Sequence, residues 1–206
     1  MKTLIHLDSS LRGEESNSRI LSSAFAKSWQ SKFPDGKIIY RDLAKNPIGH
    51  LTSEAVQASY KPVEQRTPAD IAALKPLHDA VDELMSADHI LIAAPMYNFT
   101  VPSSIKAWVD HIVVDGRTFS FGANGPEGYV KGKKVFIISS HGGSYTPDSP
   151  WAAMNMLTPW LRNILGFLGM TDVESISIEG ADFAKDQVAQ QMNASREKIT
   201  QLVAEL

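Results

Sequence analysis

Residues 89–102 read His89-Ile90-Leu91-Ile92-Ala93-Ala94-Pro95-Met96-Tyr97-Asn98-Phe99-Thr100-Val101-Pro102. The first six form an unbroken apolar run of strand length, without the alternation of a strand that has one wet face. Such a run fits a central strand covered on both sides. The residues after it are unusual for a loop, because large side chains and two prolines stand where small polar turn residues are expected. They suit a stiff shelf for something flat and partly apolar, and tight packing at a sheet edge would use the same residues.

The chain on either side alternates between strand and helix patterns. Upstream, Thr3 to Leu7 reads as a strand, and Leu21, Phe25 and Trp29, spaced four apart, mark a helix. Lys37 to Tyr40 is a second strand. Residues 47–66 are irregular around a short helix near Glu54 to Ala58. An amphipathic helix then runs from Asp70 to Met85, with Pro76 as a candidate kink. Downstream, Ser103 to Val114 is a helix, and Thr118 to Gly132, rich in glycine, is an excursion or hairpin. Val135 to Ile138 is a strand. Thr158-Pro159 reads as a cap and first turn leading into Trp160, Leu161, Ile164, Leu165 and Leu168, with Gly169 as the stop. Val173 to Ile178 is the last strand, and Val188, Met192, Ile199, Leu202 and Val203 line a final helix.

Five strands alternating with helices predict an α/β fold, a doubly wound five-stranded parallel sheet with helices on both faces. In such sheets ligands sit beyond the carboxyl ends of the strands, where the strand order reverses. At roughly 100–200 residues per domain, residues 1–206 are expected to form a single domain.

Composition narrows the function. With 43% apolar and 21% charged residues the chain is globular rather than disordered. Twenty basic against 23 acidic residues give −3, too balanced for nucleic acid as the main partner. Cysteine is absent, which removes thiolate nucleophiles, disulfides, iron–sulfur clusters and cysteine-ligated zinc, so redox chemistry must reside in a bound cofactor. The six histidines never fall in HExxH spacing, and no metal is expected. GxSxG is missing, which argues against a serine hydrolase. The apolar run at the amino terminus is too short for a signal peptide, and no stretch reaches the ~18 residues of a membrane span. A cytoplasmic protein without a membrane partner is expected.

Two further loops stand beside the shelf. After the first strand come Ser9, Ser10, Ser16, Asn17 and Ser18, just ahead of the first helix. Hydroxyls and an amide at a helix amino terminus suit a phosphate; the alternative is that one of them is an ordinary helix cap and the others are solvated. Neither GxGxxG nor GxxxxGK[ST] is present, against a Rossmann dinucleotide site and an NTPase. After the fourth strand, Ser139-Ser140-His141-Gly142-Gly143-Ser144 offers small residues whose backbone can approach a ligand or simply turn.

These three loops, together with Asn124-Gly125-Pro126-Glu127-Gly128, resemble in order and context the FMN-dependent NADH:azoreductase/NAD(P)H:quinone oxidoreductase family of the flavodoxin-like superfamily. The resemblance runs from the first strand through Thr171-Asp172-Val173. It implies a flavodoxin-like domain with bound FMN and with NADH or NADPH as electron donor. It implies ping-pong, two-electron reduction of quinones, and of azo or nitro aromatics, at a site near a homodimer interface. Ser10, Ser16, Asn17 and Ser18 would hold the phosphate, with Asn17 where relatives often carry serine. Met96, Tyr97, Asn98 and Phe99 would contact the isoalloxazine, and Ser140, His141, Gly142 and Gly143 its pyrimidine side. No acid or base side chain is required; His141 stands where some relatives carry arginine and, if protonated, would help stabilise the reduced ring. Phe119, Phe121, Tyr129, Trp151, Trp160 and Phe167 are candidates for a substrate wall, the core or an interface. A single-electron carrier built on the same sheet and a flavin-binding regulatory module are the alternatives; carriers lean on an acidic face, to which −3 lends little.

Overall fold

The computed structural model describes every residue except Asn124, and of Lys185 only the backbone. The part of the 124–128 motif carried by Asn124 thus lies outside the described residues. The strands that order the molecule are β1 (Thr3–Asp8), β2 (Lys37–Asp42), β3 (His89–Pro95), β6 (Lys134–Ser140) and β7 (Asp172–Ile178), hydrogen-bonded in the order β2-β1-β3-β6-β7. All four pairings are parallel. The chain moves outward from β1 to β2, then crosses back to β3, so the order reverses between β1 and β3.

The helices are α1 (Asn17–Lys32), α2 (Ser53–Ser59), α3 (Pro68–Ser86), α4 (Ser103–Ile112), α5 (Leu157–Phe167) and α6 (Lys185–Ala204). Successive strand residues point to opposite faces, and this divides the core in two. Ile5, Leu7, Ile90, Ile92, Val135 and Ile137 pack with Trp108 of α4 and Leu161 and Leu165 of α5. Leu4, Leu91, Phe136 and Ile138 pack on the other face with Leu21, Phe25 and Trp29 of α1 and Ile199 and Leu202 of α6. All seven residues of β3 are buried, as its unbroken apolar run requires. Truncating Phe25 or Trp29, both fully enclosed, to alanine costs about 3–5 kcal/mol.

Three elements depart from, or complete, what their sequence suggests. The 118–132 excursion is an antiparallel hairpin of β4 (Phe119–Gly122) and β5 (Gly125–Gly128). Helix α3 begins with a reciprocal cap between Thr67 and Asp70 and continues past Pro76. Ala72, whose carbonyl loses its helical partner at Pro76, is exposed to solvent rather than buried without a donor. Helix α5 starts a residue before the expected Thr158 cap: Asn155 Oδ1 accepts from Leu157 N at 3.2 Å and Thr158 N at 3.4 Å. An amide two residues ahead of the helix reaches those N–H groups, and Thr158 lies already inside it.

Candidate functional site

The carboxyl ends of β1, β3 and β6 lie side by side, and hydrogen bonds join the loops that follow them. The Leu11 N–H donates to Tyr97 Oη (3.1 Å), and the Met96 N–H to the Ser140 carbonyl (2.8 Å). The three segments singled out in the sequence therefore form one continuous rim.

In the first loop, Ser9 is occupied structurally, its hydroxyl donating to the Ala93 carbonyl at 2.8 Å. Ser10, Ser16 and Ser18 are buried and Asn17 is half-buried. Ser16, not Asn17, is the cap of α1; its Oγ accepts from Arg19 N at 3.5 Å and lies 3.0 Å from Ser18 Oγ. Among the described residues, the N–H groups of Asn17 and Ser18 have no acceptor, which leaves two donors and the positive end of a 16-residue helix at the rim.

Beneath this loop lies a charged network. Arg19, 6% exposed, pairs with both oxygens of Asp42 at 2.7 and 2.8 Å and with the Ser10 carbonyl through Nε (3.3 Å) and Nη2 (3.0 Å). Asp8 accepts from Ser22 Oγ (2.8 Å) and Tyr40 Oη (2.9 Å). His6 Nε2 lies 3.4 Å from Asp8 Oδ1. Hydrogen bonding from Arg19, against the opposing effect of burial, holds the Asp42 carboxyl below the ordinary range. The same bond to Asp42 raises the Arg19 guanidinium, and burial followed by the Asp8 charge pushes Tyr40 up to about 12.

The shelf is a tight turn. Tyr97 and Thr100 exchange backbone hydrogen bonds at 3.0 and 3.1 Å around Asn98 and Phe99, whose φ values are +48° and +70°. Asn tolerates this region; Phe does not do so readily, and backbone strain of this kind collects at functional sites. The Phe99 carbonyl accepts from Met156 N at 2.9 Å, and its ring meets Tyr145 edge-on at 6.3 Å. Asn98 and Phe99 are exposed, and Met96 and Tyr97 half-buried.

The third loop turns its carbonyls away. Those of His141, Gly142 and Gly143 accept from Ala181, Asp182 and Gly180, at 2.9, 3.1 and 2.8 Å. The N–H groups of Gly142, Gly143 and Ser144 have no acceptor among the described residues, so this stretch presents consecutive donors. A Cβ on Gly142 would lie 2.4 Å from Oδ2 of the exposed Asp182 side chain, which would have to swing aside. His141 is fully buried, its Nδ1 2.9 Å from Glu179 Oε1 and its Nε2 without a partner. Glu179 Oε2 accepts from Tyr145 N at 2.8 Å, so one carboxylate grips both ends of the 141–145 loop. Burial pushes Glu179 up, but hydrogen bonds from His141, the Tyr145 N–H and Ser177 outweigh it and the carboxyl ends below its ordinary value.

Of the six candidate wall aromatics, Trp160 shares a pocket of about 510 Å³ with Tyr97, Asn98 and Lys106. Phe119 is core and packs on Phe167 at 4.7 Å, while Phe121 and Trp151 are exposed. Sequence reasoning missed Arg19, Asp8, Tyr40, Asp42 and Glu179. A signal for two of them was present, since β1 and β2 each end in aspartate, Asp8 and Asp42.

A 2-1-3-type parallel sheet with donor-rich loops at its switch point defines a flavodoxin-like α/β protein, and a family model described as flavodoxin-like fold matches residues 1–203. The chain is 42% identical over 99% of both chains to FMN-dependent NADH:quinone oxidoreductase 2 of Trichormus variabilis. It is 36% identical, over 98% of this chain and 100% of the relative, to the enzyme of the same name from Pseudomonas fluorescens. Among solved structures, azoreductase from Bacillus anthracis superposes with a TM-score of 0.92 at 22% identity over 100% of both chains. An FMN-dependent NADH-azoreductase of the same species, in complex with FMN, superposes at 0.86 with 21% identity, over 98% of this chain and 100% of that one. This chain belongs to the family of FMN-dependent NADH:quinone oxidoreductases.

Proposed function

We propose that this protein is an FMN-dependent NAD(P)H oxidoreductase that reduces quinones to hydroquinones in two-electron steps and cleaves aromatic azo compounds. The relatives' names support the activity, and the observation in this chain that carries it is the pair of donor clusters on one rim. The residues fit the cofactor. Unpaired N–H groups at the start of α1 with the hydroxyls of Ser10, Ser16 and Ser18 suit the phosphate, and Asn17 adds an amide. Met96, Tyr97, Asn98 and Phe99 suit the flat ring. Ser140, His141, Gly142 and Gly143 suit its pyrimidine end, where consecutive N–H groups oppose developing negative charge.

When bound, FMN supplies a ring that accepts a hydride from reduced nicotinamide and returns two electrons to an acceptor. The chain binds, orients and excludes water. Tyr97, braced by Leu11, and Phe99, braced by Met156 and Tyr145, make a pre-positioned floor for the ring. One open pocket beside Trp160 serves donor and acceptor in turn. Cleavage of an azo bond to two amines takes four electrons and therefore two such cycles; nitro aromatics belong to the same class of flat electrophiles. No side chain is assigned as acid, base or metal ligand.

Residues 1–206 act as one domain in this reading, in the cytoplasm and as a homodimer. Tyr60 and Val63, exposed at 86 and 73%, line one cavity with Leu51, Val56 and Phe119 and support an apolar face for a second copy. Initial rates with NADH and a benzoquinone varied together test the proposal: parallel double-reciprocal lines are expected, and intersecting lines contradict turn-taking at one pocket.

A further inference from the structure

Arg19 stands in the first turn of α1, where the helix dipole opposes a cation, and it is buried, where arginine is found only when fully partnered. Its partners use all five N–H donors of the guanidinium: two bonds to the Ser10 carbonyl, one to each oxygen of Asp42, and one to Tyr40 Oη at 3.2 Å. Asp8 Oδ2 lies 3.6 Å away. The fork thus ties the loop after β1 to the ends of β1 and β2. It draws the Ser10 carbonyl into the protein, while the Asn17 and Ser18 N–H groups at the end of the same loop have no acceptor among the described residues. It is also the only guanidinium set between the two buried carboxylates Asp8 and Asp42 among the described residues. Left uncompensated, those two charges would repel a phosphate at the start of α1.

We propose that Arg19 is a positioning residue for the phosphate loop: its fork fixes Ser10 while its charge screens Asp8 and Asp42 from a bound phosphate. The proposal rests on the reading that this loop takes the FMN phosphate. A lysine carries the charge but cannot hold the Ser10 carbonyl and both Asp42 oxygens together.

Full-length protein stripped of flavin is titrated with FMN and with riboflavin, which lacks the phosphate, and thermal unfolding of each variant is followed in parallel. Arg19→Lys is expected to lose about tenfold or more of the preference for FMN over riboflavin, with riboflavin affinity within about twofold of wild type. In Arg19→Gln/Asp42→Asn one carboxylate charge leaves together with the cation, and this variant is expected to keep more of the preference than Arg19→Gln. The double variant also guards against an Arg19→Lys protein that does not fold. Parallel weakening of both ligands marks a merely structural role and overturns the proposal, as does an unchanged preference in Arg19→Lys. A wild-type protein with no preference for FMN overturns the phosphate reading itself, and the proposal with it.

Discussion

His141 shows how a residue's environment decides which of its roles is open. The sequence offers an imidazole beside two glycines; the structure occupies its Nδ1 with Glu179 and encloses the ring against Tyr145 at 5.6 Å. It is therefore a strut of the donor-bearing loop as well as a candidate charge. His141→Ala is expected to lower the reduction potential of bound FMN, by loosening the Gly142–Ser144 donors and removing the imidazole; an unchanged potential in a spectroelectrochemical titration removes His141 from the account. Asp42 gives a pH dependence. Its folded carboxyl is held below the ordinary value by Arg19, so the folded state binds this proton less readily than the unfolded chain. The stability it contributes is complete above the unfolded value near pH ~4 and is lost as pH falls through the folded one. Urea unfolding between pH 5 and 3 is expected to show a steeper loss for wild type than for Asp42→Asn; equal slopes would refute the assignment. Neither Arg19 nor Glu179 was legible as a site residue, because their roles arise from partners 23 and 38 positions away in the chain, Asp42 for the one and His141 for the other.

At the scale of elements, the strands were the most legible part, since apolar runs such as His89 to Ala94 leave little choice of state or burial. Helix starts were less so. Ser16, Asn17 and Ser18 are all good caps by type, and only the backbone decides that Ser16 caps α1 while Asn17 and Ser18 present their N–H groups. The start of α5 was misplaced as well: Asn155 takes the N–H groups of Leu157 and Thr158, so the helix begins ahead of the Trp160 and Leu161 N–H groups that a Thr158 cap would have held. The shelf was legible in its bulk but not in its strain, because nothing in Asn98-Phe99 announces two positive φ values. The helix α1 terminus carries its own prediction. Replacing Asn17 and Ser18 together by alanine is expected to weaken FMN binding by about 1–3 kcal/mol while the N–H groups remain. Unchanged affinity in a fluorescence titration would count against the phosphate assignment.

For the whole molecule, alternation of strand and helix implied a parallel sheet covered on both faces, and the structure has it. The order β2-β1-β3-β6-β7 is not written in any single segment; it follows from the chain reversing after β2, and it is what brings three loops distant in sequence to one rim. Fold and rim together support one claim, that a bound flavin passes two electrons from reduced nicotinamide to a flat acceptor. The most direct test is the visible spectrum of the protein with FMN under anaerobic conditions, on adding NADH and then a benzoquinone. Bleaching of bound flavin by NADH and its return with quinone is the predicted result. Bound flavin that NADH cannot bleach would contradict the proposed activity, and failure to bind flavin would contradict the assignment of all three loops.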